Sequence, residues 1–182
     1  MLDKYLIEHC APTLASIKTA NLFSLSISMP MAEQHLDVWN KQLNIKGVSM
    51  EVLFKDEKRM LVYVYRKNML KRDLTADDVS TFMRIYGYGG KSVSECLQHL
   101  KTRFLKSTGF PHEIGLFLGY PLGDVIGFIE NQGKNSKCGG YWQVYCNEQE
   151  AKKQFAHFSK CRDTYKRLFS EGKTVWQLTV AA

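Results

Sequence analysis

The chain has 182 residues, enough for one domain with a real core, and its hydrophobic share of 45% is ordinary for a water-soluble globular protein. No apolar run reaches the roughly 18–20 residues needed to cross a bilayer, which excludes a membrane-spanning helix. The formal net charge of +7 is scattered, with no block of five or six like charges; it admits nucleic acid, anionic lipid or an acidic partner without selecting one.

The N-terminal MLDKYLIEHCAPTLASIK carries Asp3, Glu8 and His9 where a secretion leader needs an uninterrupted apolar stretch, so it reads as no signal peptide. Five scattered cysteines, an odd number, read as reduced thiols in a cytoplasmic protein. Leu2–Cys10 reads as a short amphipathic helix ending near Pro12. Asn21–Ser28 alternates as a strand. Pro30 opens a helix over Met31–Leu43, with Leu36, Trp39 and Leu43 on one face. Val48–Lys55 and Arg59–Arg66 are β-rich runs joined at Asp56-Glu57-Lys58, the pattern of a hairpin. Thr75-Ala-Asp-Asp is an N-cap signature opening a helix through Ile85, which Gly87, Gly89 and Gly90 break. Ser92–Lys106 is a helix with Val93, Cys96, Leu97, Leu100 and Phe104 inward. Tyr141–Cys146 alternates as a strand, Asn147 caps a long helix reaching about Phe169, and Val175–Val180 reads as a last strand or a loose turn. Intermingled strands and helices, with no linker, predict one α+β domain over residues 1–182: a small antiparallel or mixed sheet with several helices against it.

The most distinctive stretch is Gly109–Asn131, GFPHEIGLFLGYPLGDVIGFIEN. Pro111 and Pro121 each suit the first turn of a short helix, and Gly119 falls where a helix end takes a left-handed residue. Two short helices with close backbone approach follow, with Leu116, Leu118, Val125, Phe128 and Ile129 buried. His112 and Glu113 stand at the start of the first helix and Asp124 in the first turn of the second.

Four chemical readings of the residues fall short. Cys138, Cys146, His157 and Cys161 are zinc-ligand types, but their spacing matches no zinc motif, so no metal is expected. Gly115, Gly119, Val125 and Phe128 sit at helix-turn-helix offsets, yet the second helix offers no side chain that reads a base edge, and Asp124 repels phosphate; nucleic acid is not expected. Cys10 beside His9, Cys138 after Lys137, and His112 with Glu113 supply the parts of a thiol catalyst without a hydrolase signature around them. Gly87-Tyr-Gly-Gly-Lys91-Ser92 precedes a helix but lacks the full phosphate-loop pattern.

The segments CAPTLASIKTANLF, FPHEIGLFLGYPLGDVIGFIEN, the Lys-Cys loop with GYWQVY, and the helix KKQFAHFSKC resemble the uncharacterised DUF3793 family of anaerobic Firmicutes, from Cys10 to the LTVA near the end. The resemblance implies a soluble intracellular protein with no assigned activity. It also implies more cysteines in the loop near Cys138 than the KNSKCGG found here, which weakens any reading built on a cysteine cluster. The segments distinctive of the family bring forward Lys18, Arg66, His112, Tyr120, Lys137 and Trp142, with Glu113 and Cys138 beside them. Converged, they form an apolar pocket with cationic and aromatic walls for a small anionic or aromatic ligand, such as a nucleotide, flavin or tetrapyrrole. The expected function is a cytoplasmic ligand-binding or accessory protein, with Lys18 and Arg66 holding an anion near His112 and Glu113. A thiol-dependent enzyme using Cys138 or Cys10 is the alternative, and a module docking a protein partner the third class.

Overall fold

The computed structural model describes residues 2–26, 32–106 and 109–181. Contacts divide the chain into two compact units: Met1–Leu70 with Lys160–Ala182, and Lys71–Ser159. The architecture is α+β, as the intermingled elements predict. Among the described residues no helix is long and apolar enough to cross a membrane.

The first unit is built on an antiparallel sheet, β1 (Ala20–Ser26), β2 (Val48–Lys55) and β3 (Arg59–Arg66), in the order β1-β3-β2. Ala20 stands opposite Tyr65, and Val48 opposite Arg66. The hairpin forms where expected: Asp56 Oδ1 accepts from the backbone N–H of Lys58 and Arg59, which fixes the turn. Helix α1 (Leu2–Leu14) and helix α2 (Ala32–Leu43) add Leu6, Cys10, Leu14, Leu36, Trp39 and Leu43 to a core shared with Phe23, Val62 and Val64. The proposed helix opening at Pro30 and Met31, and the strand end at Ile27 and Ser28, lie outside the described residues.

Helix α1 runs past the predicted end, through Pro12 to Leu14. Proline removes one helical donor, but Cys10, Ala11 and Leu14 are fully buried, and the Pro12 carbonyl accepts from Ile17 and Lys18. Burial outweighs the missing bond. The C-terminal segment is neither strand nor loose turn. It is a short helix, Val175–Leu178, started by a capping box in which Thr174 Oγ1 accepts from the Gln177 N–H and the Gln177 side chain accepts from the Thr174 N–H.

The second unit is mainly helical. Helix α3 (Lys67–Thr75) begins as β3 ends and spans the boundary between the units. The sequence reading misses it and places an N-cap at Thr75. That residue instead closes α3, its hydroxyl donating back to Lys71 and Arg72 carbonyls. Helix α4 (Asp77–Arg84) then starts from Ala76 without a side-chain cap. Helix α5 (Val93–Lys106) begins at a Ser92–Glu95 capping box and buries Cys96, Leu97 and Leu100. After α6 (Ile114–Phe117) and α7 (Leu122–Glu130) comes a two-stranded ladder, β4 (Cys138–Gly139) with β5 (Gln143–Val144). The long helix α8 (Glu148–Ser170) is capped by Asn147 as predicted, and its last part belongs to the first unit.

A cavity walled by aromatic rings

The glycine-rich stretch folds as the helical pair expected, but both helices begin later than the prolines. Pro111 opens a turn whose carbonyl accepts from Ile114, and Pro121 is the N-cap of α7 with an extended ψ of 136°. Gly119 has φ +75°, and α6 ends in a Schellman motif: Tyr120 N–H donates to Gly115 O and Gly119 N–H to Leu116 O. Gly115 is needed for a second reason, since a Cβ there would lie 2.7 Å from Val125 Cγ2. The two helices therefore meet backbone against side chain. Leu116, Leu118 and Val125 are buried, while Phe128 and Ile129 are half-buried.

This geometry delivers Tyr120 to one side of a cavity of about 440 Å³ within the second unit. Its walls come from the α6–α7 segment (His112, Leu118, Tyr120, Val125, Phe128) and from the β4–β5 turn (Tyr141, Trp142), with Asp124 among them. Tyr120 and Trp142 lie 5.1 Å apart between ring centroids, and His112 and Phe128 5.0 Å. Phe155 meets Trp142 edge-on at 4.6 Å. That contact depends on Gly140, where a Cβ would sit 2.4 Å from the Phe155 ring.

Asp124 fixes the wall in place. Its Oδ2 accepts from Trp142 Nε1 at 2.7 Å, and its Oδ1 accepts from the backbone N–H of Tyr145 and Cys146, each at 2.8 Å. The predicted strand Tyr141–Cys146 shortens to Gln143–Val144: its last two residues give their N–H groups to Asp124, and its first two lie in the turn from β4. Burial pushes the Tyr120 phenol up to about 12, so it stays protonated. The Tyr141 hydroxyl is buried without a hydrogen-bond partner among the described residues, its ring set against Phe155 and Phe158.

Of the residues proposed from the sequence, His112, Tyr120 and Trp142 line this cavity. Glu113 does not. It is 1% exposed and paired with Arg103, with Tyr88 Oη donating to it at 3.1 Å. Lys137 is exposed and donates to the Cys146 carbonyl at 2.6 Å, and Cys138 stands half-buried in β4 opposite Val144. Lys18 and Arg66 belong to the first unit. Arg66 is 2% exposed and directs its guanidinium at four backbone carbonyls, those of Thr13, Leu14, Lys46 and Val180. Lys18 is buried, donates to Ala20 O, and has its amine lowered to about 7 by burial. In the sequence these cations look like ligands for an anion; in the fold they donate to main-chain oxygens of their own unit.

Burial disfavours the thiolate at three of the cysteines. Burial pushes up the thiols of Cys10 and Cys96, and that of Cys161 to about 11. His9 stacks on Phe23 at 5.6 Å. All five cysteines are free, and among the described residues no three His, Cys, Asp or Glu side chains are grouped to hold a metal ion. The sequence reading places Asp124 in the first turn of the second helix and treats it as a charge that repels phosphate, but passes over its role beneath Trp142. A carboxylate set in the run Leu122–Ile129, otherwise apolar or glycine, is the signal that points to it.

The family model described as a protein of unknown function (DUF3793) matches residues 6–179. Neither a curated protein nor a solved structure matches the chain.

Proposed function

Given that the chain belongs to the DUF3793 family, whose description assigns no activity, we propose that it is a small-molecule-binding protein whose site is the aromatic-walled cavity of the second unit. One observation carries this reading: about 440 Å³ of space lined by His112, Tyr120, Phe128, Tyr141 and Trp142, with a buried carboxylate among them. Binding sites combine such a size and an aromatic lining with a few fixed polar groups. Flat aromatic molecules suit these walls, because rings stack or meet edge-on at the spacings the wall residues themselves adopt. The anionic half of the original expectation loses its support. Among the described residues no lysine or arginine lines the cavity, and Arg66 and Lys18 serve carbonyls elsewhere. The free cysteines support a reducing, cytoplasmic setting.

A fragment screen by ¹H–¹⁵N NMR, with small mono- and bicyclic aromatic compounds, tests the reading. Hits are expected to move resonances of 112–128 and 140–143 together, including the Trp142 indole N–H, and Phe128→Ala is expected to weaken them. Hits confined to the first unit, or no saturable shift at these residues, overturn it.

A further inference from the structure

Resting on the cavity as the binding site, we infer that its preferred occupant is a flat organic cation, an N-alkylated or quaternary heteroaromatic, and that carboxylates and phosphate esters are turned away. Three observations lead there. Asp124 is 3% exposed yet lies at the cavity wall, and its three partners are neutral N–H groups. They hold the carboxylate in place and bring no positive charge to balance it. Among the described residues no lysine or arginine lines the cavity, and His112 brings the titratable nitrogen at its wall.

The surrounding chain leans the same way. Although the protein carries +7, residues 111–146 hold Glu113, Asp124 and Glu130 against Lys134 and Lys137. Arg103 takes up Glu113, and Lys137 points its ammonium at a carbonyl. The walls themselves are aromatic, and ring faces attract a weakly hydrated cation while repelling an anion. A heteroaromatic cation offers both halves at once: a face for Tyr120, Trp142 and Phe128, and a positive charge for Asp124.

Three probes of one shape test this: 1-methylquinolinium, quinoline and quinaldate, titrated into the whole protein at about pH 8, above the ordinary imidazole range. The cation is expected to bind at least about tenfold tighter than both the neutral and the anionic probe, with the Trp142 indole N–H shifting. Asp124→Asn, checked for folding by its NMR dispersion, is expected to bring the three within about threefold of one another. The wild-type ranking decides the question even where that variant does not fold. Equal affinities, or quinaldate binding as tightly as the cation, overturn the inference while leaving the cavity as a binding site. No shift at cavity residues with any probe overturns it as well, and the fragment screen then judges the cavity separately. A folded Asp124→Asn that keeps the full preference also overturns it, because the carboxylate would not be its source.

Discussion

Replacing Asp124 by alanine is expected to cost the second unit about 3–4 kcal/mol. The side chain accepts three hydrogen bonds, all from N–H donors to a carboxylate, and bonds to charged groups contribute roughly 1.5–3 kcal/mol each. The three are not equal. Trp142 is buried, so its indole N–H is left without a partner. Cys146 is exposed and Tyr145 half-buried, so water reaches the neighbourhood of both and recovers part of their loss. Counting the indole near the full figure and the two backbone donors at about half or less gives the total. Asparagine separates geometry from charge. Its carbonyl can serve the two backbone donors, but its NH₂ then faces the indole N–H, donor against donor, and about half of the cost is expected to remain. Urea unfolding followed by circular dichroism, with NMR assigning the loss to residues 71–159, measures both variants. A loss below about 1 kcal/mol for Asp124→Ala would refute the claim that this carboxylate holds the Trp142 wall.

Three further outcomes follow from named groups. Gly119→Ala is expected to destabilise by about 1–2 kcal/mol in the same assay, because φ is +75° and a Cβ is strained there; an unchanged midpoint would deny the Schellman geometry. Tyr141→Phe is expected to leave stability unchanged or to raise it by up to about 1 kcal/mol, since the hydroxyl it removes is buried without a partner; a loss above that would show that the hydroxyl is satisfied in solution. Lys18 predicts a pH dependence: its folded-state pKa of about 7 lies below the ordinary 10.5, so between these values the unfolded chain binds the proton that the buried amine has released. Stability should therefore rise with pH from about 7 upward, by at most ~1.4 kcal/mol per unit, and be flat on this account below about 7. Lys18→Met should lose that slope when the two proteins are compared between about pH 7 and 8.5; equal slopes would contradict it.

The hairpin of β2 and β3, the inward face of α2, the Asn147 cap and left-handed Gly119 were legible because each is local: a period, a cap residue or a helix end contained in a few neighbouring positions. Other features were not, because their causes lie at a distance. The N–H groups of Tyr145 and Cys146 look available for a strand until Asp124, some twenty residues earlier, takes them. Arg66 and Lys18 look like an anion site because a sequence does not show that carbonyls from separate segments converge on them. Thr75 reads as a cap because its pattern is right, yet a helix already occupies the residues before it, and its hydroxyl turns back to Lys71. At the proposed site, His112, Tyr120 and Trp142, named from their segments, line the cavity, while Asp124 was read only as a first-turn residue and a charge that repels phosphate. Its role appears once Trp142, eighteen residues on, is folded against it.

The central claim, that the cavity of the second unit is the binding site, is tested most directly by crystal structures of the protein soaked with the mono- and bicyclic aromatic compounds of the fragment screen, 1-methylquinolinium among them. The account predicts density for a ring system against Tyr120, Trp142 and Phe128, with the positive end of 1-methylquinolinium toward Asp124. Density at Lys18 or Arg66 instead, or an unaltered cavity at saturating probe, would contradict it.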